Sequence, residues 1–135
     1  MKKIRITHLI TLVAVCLALT SATANAAALS GKDTQFLAGY EKAHAALAAD
    51  DLGAAKAAAA ELGTEGAELS KSSSLKDARA AFEKLSAKAK QLAAGQAGYH
   101  IAHCPMLNKD WVQTSTTTAN PYGGKDMVGC GEIQK

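Results

Sequence analysis

The chain has 135 residues, a formal net charge of +3 and few aromatic side chains, which make up 4% of it. This length suits a single domain, and the low aromatic content predicts a thin core. The charge excess comes from Lys2, Lys3 and Arg5, so the rest of the chain carries equal numbers of cations and anions. Composition therefore gives no support to a nucleic-acid partner or to binding at an anionic membrane surface.

The N-terminal segment has the pattern of a secretory signal peptide. The three cations form its positive region, residues 10–19 form an apolar run, and Ala24-Asn25-Ala26 offers the small side chains that signal peptidase requires. We predict a signal peptide over residues 1–26. The mature chain, residues 27–135, is then expected in the periplasm, without stable membrane insertion after cleavage.

Two other interpretations of the N-terminal segment stay open. An uncleaved membrane anchor needs about 20 apolar residues in a row, and the apolar run is shorter than that. A lipid-modified cysteine needs a small residue before it, whereas Val15 precedes Cys16. Cleavage after Ala26 would remove Cys16 and leave two cysteines in an exported chain, for which a disulfide is the default expectation.

Residues 30–97 predict helices separated by short breaks. The first helix is expected from Asp33 to about Ala49, where Asp50 and Asp51 interrupt the pattern and suit the start of a second helix. The apolar face of the first helix repeats with a helical period and contains Phe36, Leu37, Tyr40, Ala43, His44 and Leu47. We therefore predict that His44 is a buried histidine of this face.

The next two helices each carry a narrow apolar seam with alternating spacings of three and four residues. The seams contain Leu52, Ala55, Ala59, Leu62, Gly66 and Leu69 in the second helix, and Leu75, Ala78, Phe82, Leu85, Ala89 and Leu92 in the third. Gly63 predicts a break in the second helix, and Ser74 with Asp77 predicts a capping box at the start of the third. Matched seams joined by a short polar loop over residues 70–74 predict antiparallel packing.

The last segment, residues 98–135, has a different composition, rich in Thr, Asn, Gly and Pro, which favour turns and extended chain. We predict that it is an irregular tail packed on the helices. The predicted fold is therefore all-α: one domain over residues 27–135, made of an antiparallel three- or four-helix bundle over residues 30–97 and the irregular tail. A thin, Ala-rich bundle could also pair with a second copy as a homodimer.

The tail concentrates soft donor atoms at two places. Cys104 and Met106 are two residues apart, and Met127 and Cys130 are three apart. Thiolate and thioether sulfurs select Cu(I) and similar soft ions, so the four sulfurs could form one metal site if the two places meet. Alternatively, Cys104 and Cys130 form a disulfide that stabilises the chain by roughly 3–4 kcal/mol, and the methionines fill the core.

His100 and His103 are additional candidate ligands, because imidazole also suits copper. His103 adjoins Cys104, so in an extended chain its side chain is expected to point away from the sulfur. A thiol beside an imidazole also has the residue types of a nucleophile and its base, but adjacency in sequence is not the geometry that catalysis requires. We predict that the protein is not an enzyme.

The tail motifs resemble those of a bacterial periplasmic domain family of unknown function. They read Cys-Pro-Met, then a Trp, then Asn-Pro-Tyr-Gly and Met-Val-Gly-Cys-Gly-Glu-Ile, and the Ala-rich helices are similar in style. The signature positions are Cys104, Pro105, Met106, Trp111, Asn120, Pro121, Tyr122, Gly123, Met127, Cys130 and Gly131. Leu107 departs from the small residue expected after Cys-Pro-Met.

Members of that family occur alone or fused to the membrane-fusion (adaptor) subunits of heavy-metal efflux pumps of the copper/silver type. The resemblance implies a periplasmic location, an association with metal handling and an efflux adaptor subunit as the partner. It implies no established activity.

The sequence therefore predicts a periplasmic protein that binds a soft metal ion, expected to be copper, for sequestration or for hand-over to an efflux system. The predicted ligands are Cys104, Met106, Met127 and Cys130, with His103 or His100 assisting. The alternative prediction is a disulfide-stapled helical interaction module that docks on an efflux adaptor without binding metal.

Overall fold

A computed structural model describes residues 26–135. They form four α-helices, α1 (Gly31–Ala48), α2 (Leu52–Ala60), α3 (Ala67–Ser70) and α4 (Leu75–Ala93), followed by strands β1 (His100–Cys104) and β2 (Lys109–Gln113), a 3-10 helix (Gly124–Met127) and strand β3 (Glu132–Ile133). The predicted signal peptide lies outside the described residues, apart from Ala26. Within residues 26–135, no helix is long and apolar enough to cross a membrane.

The predicted all-α fold is wrong, because the segment expected to be an irregular tail forms a three-stranded antiparallel sheet with strand order β2-β1-β3. β1 pairs with β2 from His100↔Gln113 to Cys104↔Lys109, and with β3 through His103↔Glu132 and Ala102↔Ile133. The physical reason is that short strands are stabilised by cross-strand pairs and by packing, which a local pattern does not reveal. The fold is mixed, with helices and a small sheet around one core.

The helix boundaries follow from side-chain caps and from glycine. Asp51 caps α2 by accepting a hydrogen bond from the Ala54 N–H at 2.8 Å. Ser74 caps α4 in the same way through the Asp77 N–H at 3.1 Å. The predicted capping box is present only in this half, because the Asp77 carboxylate accepts from the Ser73 and Ser74 hydroxyls and not from the Ser74 N–H. The break predicted near Gly63 is also confirmed, since α2 ends at Ala60 and Gly63 has a φ of 60°.

A row of aromatic rings joins the helices to the sheet and the tail. The Tyr40 ring of α1 stacks on Phe82 of α4 with centroids 4.7 Å apart, and Phe82 lies 5.8 Å from Tyr122 of the tail. Tyr122 in turn meets the edge of Trp111 in β2 at 6.4 Å. Each such pair is worth about 0.5–1.5 kcal/mol beyond the area it buries. Most other buried side chains are Ala and Leu, so these rings carry a large share of the core.

Hydrogen bonds also connect the helices to the sheet and the tail. The buried Tyr40 hydroxyl accepts a hydrogen bond from the Val112 N–H of β2 at 3.1 Å and lies 2.8 Å from the Ser86 hydroxyl of α4. Tyr122 donates its hydroxyl hydrogen to Ser86 at 2.9 Å. Burial, opposed by these hydrogen bonds, raises the pKa of Tyr40 far above its ordinary value, so the hydroxyl stays protonated.

The end of α1 is tied to the tail by an ion pair. Asp50 follows α1 with a φ of 57° and pairs with Arg79 of α4. Its other oxygen accepts the Lys125 N–H at 3.0 Å, and Arg79 also donates to the Pro121 carbonyl at 2.8 Å. Gly124 lies directly against this pair, with a φ of 59°. The ion pair therefore positions the segment that leads to the second cysteine.

We predict that Gly124→Ala lowers the free energy of unfolding by about 1–3 kcal/mol, the cost of a left-handed conformation for a residue other than glycine. The new methyl group would also meet the Asp50 carboxylate and the Arg79 guanidinium. Urea unfolding followed by circular dichroism measures the change. The control is Gly129→Ala, because a Cβ added there has no neighbour within 4 Å. Equal stabilities of the two variants would contradict the prediction.

Candidate functional site

The two cysteines of the tail meet in the folded chain. Their Sγ atoms lie 2.6 Å apart and are not bonded to each other. Cys104 is the last residue of β1 and is fully buried, whereas Cys130, just before β3, is partly exposed. The antiparallel pair His103↔Glu132 places Cys104 opposite Gly131, so Cys130, one residue earlier in the chain, lies next to Cys104.

The Cys104 sulfur is surrounded by hydrogen-bond donors. β1 and β2 are joined by a turn over residues 105–108, in which Asn108 has a φ of 50°. Burial raises the pKa of the Cys104 thiol, but hydrogen bonds from Cys130, from the backbone N–H groups of Leu107 and Met106, and from the Asn120 side chain outweigh it. The pKa of Cys104 therefore lies below its ordinary value, and these surroundings favour a thiolate.

Cys130 has the opposite character. The hydrogen bond with Cys104, together with burial and the charge of the neighbouring sulfur, raises the pKa of Cys130. The site is therefore asymmetric, with Cys104 buried beneath a partly exposed Cys130.

Asn120 holds both cysteines in place. It is fully buried, and its side-chain N–H group donates to the Cys130 carbonyl at 2.9 Å. Its side-chain oxygen accepts the N–H groups of Tyr122 and Gly123 at 2.9 and 3.0 Å. The Asn120 backbone N–H donates to the Val128 carbonyl at 2.8 Å. One amide thus closes the loop between residues 120 and 130.

The two methionines lie in different surroundings. Met106 is in the turn after β1, two residues from Cys104, and is 78% exposed, so its side chain is at the surface. Met127 ends the 3-10 helix, packs in part against the core, and accepts the Cys130 N–H with its carbonyl at 2.9 Å. The structure therefore brings Cys104, Cys130 and the Met106 backbone together. Met127 lies three residues before Cys130, at the end of the 3-10 helix.

The histidines lie away from the sulfurs. His103 and Cys104 are successive residues of β1 and so point to opposite faces, and the His103 Nδ1 lies 2.7 Å from an Asp110 oxygen that also belongs to an ion pair with Lys90. His100 is at the far end of β1, about 13 Å along the strand from Cys104. His44 is buried, and its Nε2–H donates to the Ala119 carbonyl at 2.6 Å.

The donor set at the cysteine pair consists of two thiols and one nearby thioether. Among the described residues, no group of three or more His, Cys, Asp or Glu side chains is arranged to hold a metal ion. Hard ions such as Ca²⁺ and Mg²⁺ need oxygen ligands, which this pair does not offer. Sulfur donors alone are suited to soft ions, so the residues present fit a soft ion and not a hard one.

Comparison with known proteins leaves the resemblance of the tail motifs untested. No protein-family model matches the chain, and no curated protein or solved structure is significantly similar to it. The site is therefore interpreted from its own geometry.

We predict that Asn120→Ala raises the pKa of Cys104, because it removes a donor from the sulfur. The pKa is measured from the ultraviolet absorbance of the thiolate as a function of pH, in a Cys130→Ser background so that a single thiol titrates. The control is Asn108→Gly, which removes an amide from the neighbouring turn at a position with a φ of 50° that glycine accepts. A Cys104 pKa that is unchanged in Asn120→Ala would contradict the prediction.

We also predict a pH-dependent contribution from Asp110. Its hydrogen bonds with Lys90 and His103, opposed by burial, hold the pKa of Asp110 below its ordinary value. The carboxylate therefore stabilises the fold above the ordinary Asp pKa, and this contribution disappears as the pH falls through the lowered pKa. Asp110→Asn should cost stability at neutral pH and converge with the wild type in acid.

Urea unfolding at a series of pH values measures this difference. Asp126→Asn, on an exposed residue of the 3-10 helix, is the matched control. A stability difference between Asp110→Asn and the wild type that is constant from neutral to acid pH would show that the charge plays no part.

Proposed function

We propose that the protein binds one soft metal ion, with Cu(I) the expected ion, through the thiolates of Cys104 and Cys130. The observation that carries the proposal is the cysteine pair itself, in which the buried sulfur is surrounded by N–H donors. The ligand in a metal–sulfur bond is the thiolate and not the thiol. Donors that stabilise negative charge on Cys104 therefore favour the form that binds metal.

Met106 is the third ligand in this proposal. Its thioether is exposed on the turn whose N–H group already faces both sulfurs, so a rotation of its side chain is enough to approach an ion there. Met127 is the fourth sulfur predicted from the sequence, but its packing against the core supports a structural role. His103 and His100 are left out, because one points to the opposite face and the other lies far along β1.

Binding requires the two sulfurs to separate. Two thiolates on one tetrahedral ion, with metal–sulfur bonds of about 2.3 Å, lie about 3.8 Å apart, compared with 2.6 Å between Cys104 and Cys130. The movement falls most easily on Cys130, which is partly exposed and follows the exposed Gly129. Cys104, at the end of a paired strand, stays in place.

The proposed role is to sequester the ion in the periplasm or to hand it to an efflux system. The signal-peptide pattern supports the location, and the resemblance of the tail motifs supports an efflux adaptor subunit as the partner. The proposed site suits transfer of the ion to an acceptor. Cys130 and Met106 are nearer the surface than the buried Cys104, so ligands of the acceptor can replace them first.

A copper titration tests the proposal. Reduced protein competes anaerobically with a chromophoric Cu(I) chelator, and we expect uptake of one ion per chain. Cys104→Ser and Cys130→Ser should abolish uptake, and Met106→Leu should weaken it, since leucine has a similar volume and no sulfur. Met127→Leu is the matched control and should bind as the wild type does. Uptake that survives loss of either cysteine would refute the site.

A second function is favoured by the short distance between the sulfurs. A separation of 2.6 Å is close to the roughly 2.05 Å of a disulfide bond, so the pair could staple an interaction module that docks on an efflux adaptor without metal. Met106 and Val128, 78% and 44% exposed, would then contact the adaptor. A thiol count on the exported protein, denatured without reductant, separates the two functions: two free thiols favour metal binding, and none favours the staple.

A further inference from the structure

We propose that Cys104 and Cys130 form a reversible disulfide that exchanges with external thiols through Cys130, with Cys104 as the leaving sulfur. This inference does not depend on metal binding. It assigns a redox role to the pair in place of a permanent staple, and it gives each sulfur a different part in the exchange.

The first argument is access. Thiol–disulfide exchange begins when a thiolate reaches one of the two sulfurs from outside. Cys104 is fully buried at the end of β1, where Asn120 and the turn after the strand surround its sulfur. Cys130 is partly exposed and follows the exposed Gly129. An external thiol therefore meets Cys130 first.

The second argument is the leaving group. Attack on one sulfur of a disulfide expels the other sulfur as a thiolate. Attack at the partly exposed Cys130 therefore expels Cys104, whose side chain is fully buried at the end of β1. The departing sulfur stays enclosed by the fold beside Cys130, where it can attack the mixed disulfide in the reverse step.

The third argument is the proximity of the two thiols once reduced. Their sulfurs are in contact at 2.6 Å, so the released pair stays together and can close again. The Asn120 amide, which donates to the Cys130 carbonyl, keeps the second cysteine beside the first. The reverse reaction therefore needs no rearrangement of the fold.

The exchange balances as follows for a dithiol reductant. One reductant thiolate attacks the Cys130 sulfur, the bond between Cys104 and Cys130 breaks, and Cys104 leaves as a thiolate. The second reductant thiolate then attacks the sulfur of the first, which breaks the mixed disulfide and releases Cys130 as a thiolate. The two electrons come from the reductant, which ends as a cyclic disulfide. A small disulfide oxidant runs the sequence in reverse.

Mass spectrometry can read which sulfur is attacked. The folded protein is oxidised with glutathione disulfide, treated briefly with glutathione, acidified and alkylated with a maleimide. Trypsin then separates the cysteines, because cleavage after Lys90, Lys109 and Lys125 leaves Cys104 in residues 91–109 and Cys130 in residues 126–135. We expect glutathione on residues 126–135 and the maleimide on residues 91–109.

Single-cysteine variants give an independent readout. Cys104→Ser keeps the exposed thiol and should form a mixed disulfide with glutathione disulfide, whereas Cys130→Ser keeps only the buried thiol and should react at least about tenfold more slowly. Denaturant should remove this difference, which shows that it comes from the fold.

Three results would overturn the proposal. The first is glutathione predominantly on residues 91–109. The second is equal reaction rates of the two variants in the folded state. The third is a pair that forms no disulfide with glutathione disulfide, or one that excess dithiol reduces only after unfolding. None of these readouts uses metal, so failure of the copper titration would leave the exchange intact, and the reverse also holds.

Discussion

The site depends on the burial of one amide side chain. Asn120 is fully enclosed, and a buried amide must find partners or cost unfolding free energy. It finds them at both ends of its own loop: its oxygen accepts the N–H groups of Tyr122 and Gly123, and its N–H group donates to the Cys130 carbonyl. The loop from Asn120 to Cys130, which contains the 3-10 helix, is thereby closed. The same amide also faces the Cys104 sulfur. The side chain that holds the loop closed therefore also sets the surroundings of the cysteine pair.

The loop must pack against the rest of the protein, and a few large side chains of the thin core provide that surface. An Ala-rich helix buries little apolar surface per residue, so packing of α1, α2 and α4 alone leaves a small margin of stability. The row from Tyr40 through Phe82 and Tyr122 to Trp111 adds area where α1, α4 and the sheet meet. Hydrogen bonds from Tyr40 and Tyr122 to Ser86 fix how the sheet lies on α4. The helices therefore position the cysteine pair without contributing a residue to it.

Local patterns predicted the helices and missed the sheet for a physical reason. The cap at Ser74, the seam of α4 and the break near Gly63 all depend on residues within one or two turns, so spacing reveals them. Strands β1 and β2 have only five residues each, separated by a turn of four residues. Their pairing depends on the turn at Asn108 and on burial against α4, which no local pattern encodes. The side-chain chemistry of Cys and Met was enough to predict the sulfurs as site residues. The hydrogen bonds of Asn120 with the loop to Cys130, and the ion pair of Asp110 with Lys90, could not be predicted, because they form only after distant segments meet.

The two proposed states of the cysteine pair exclude each other, and the same donors act on both. A metal ion needs the sulfurs further apart than they are, and a disulfide needs them closer. N–H groups that face Cys104 stabilise negative charge, and a disulfide sulfur carries none. The surroundings of Cys104 therefore favour the reduced pair over the oxidised one, whatever the reduced pair binds. A permanent staple would gain nothing from these donors, whereas both roles proposed for the reduced pair would gain from them.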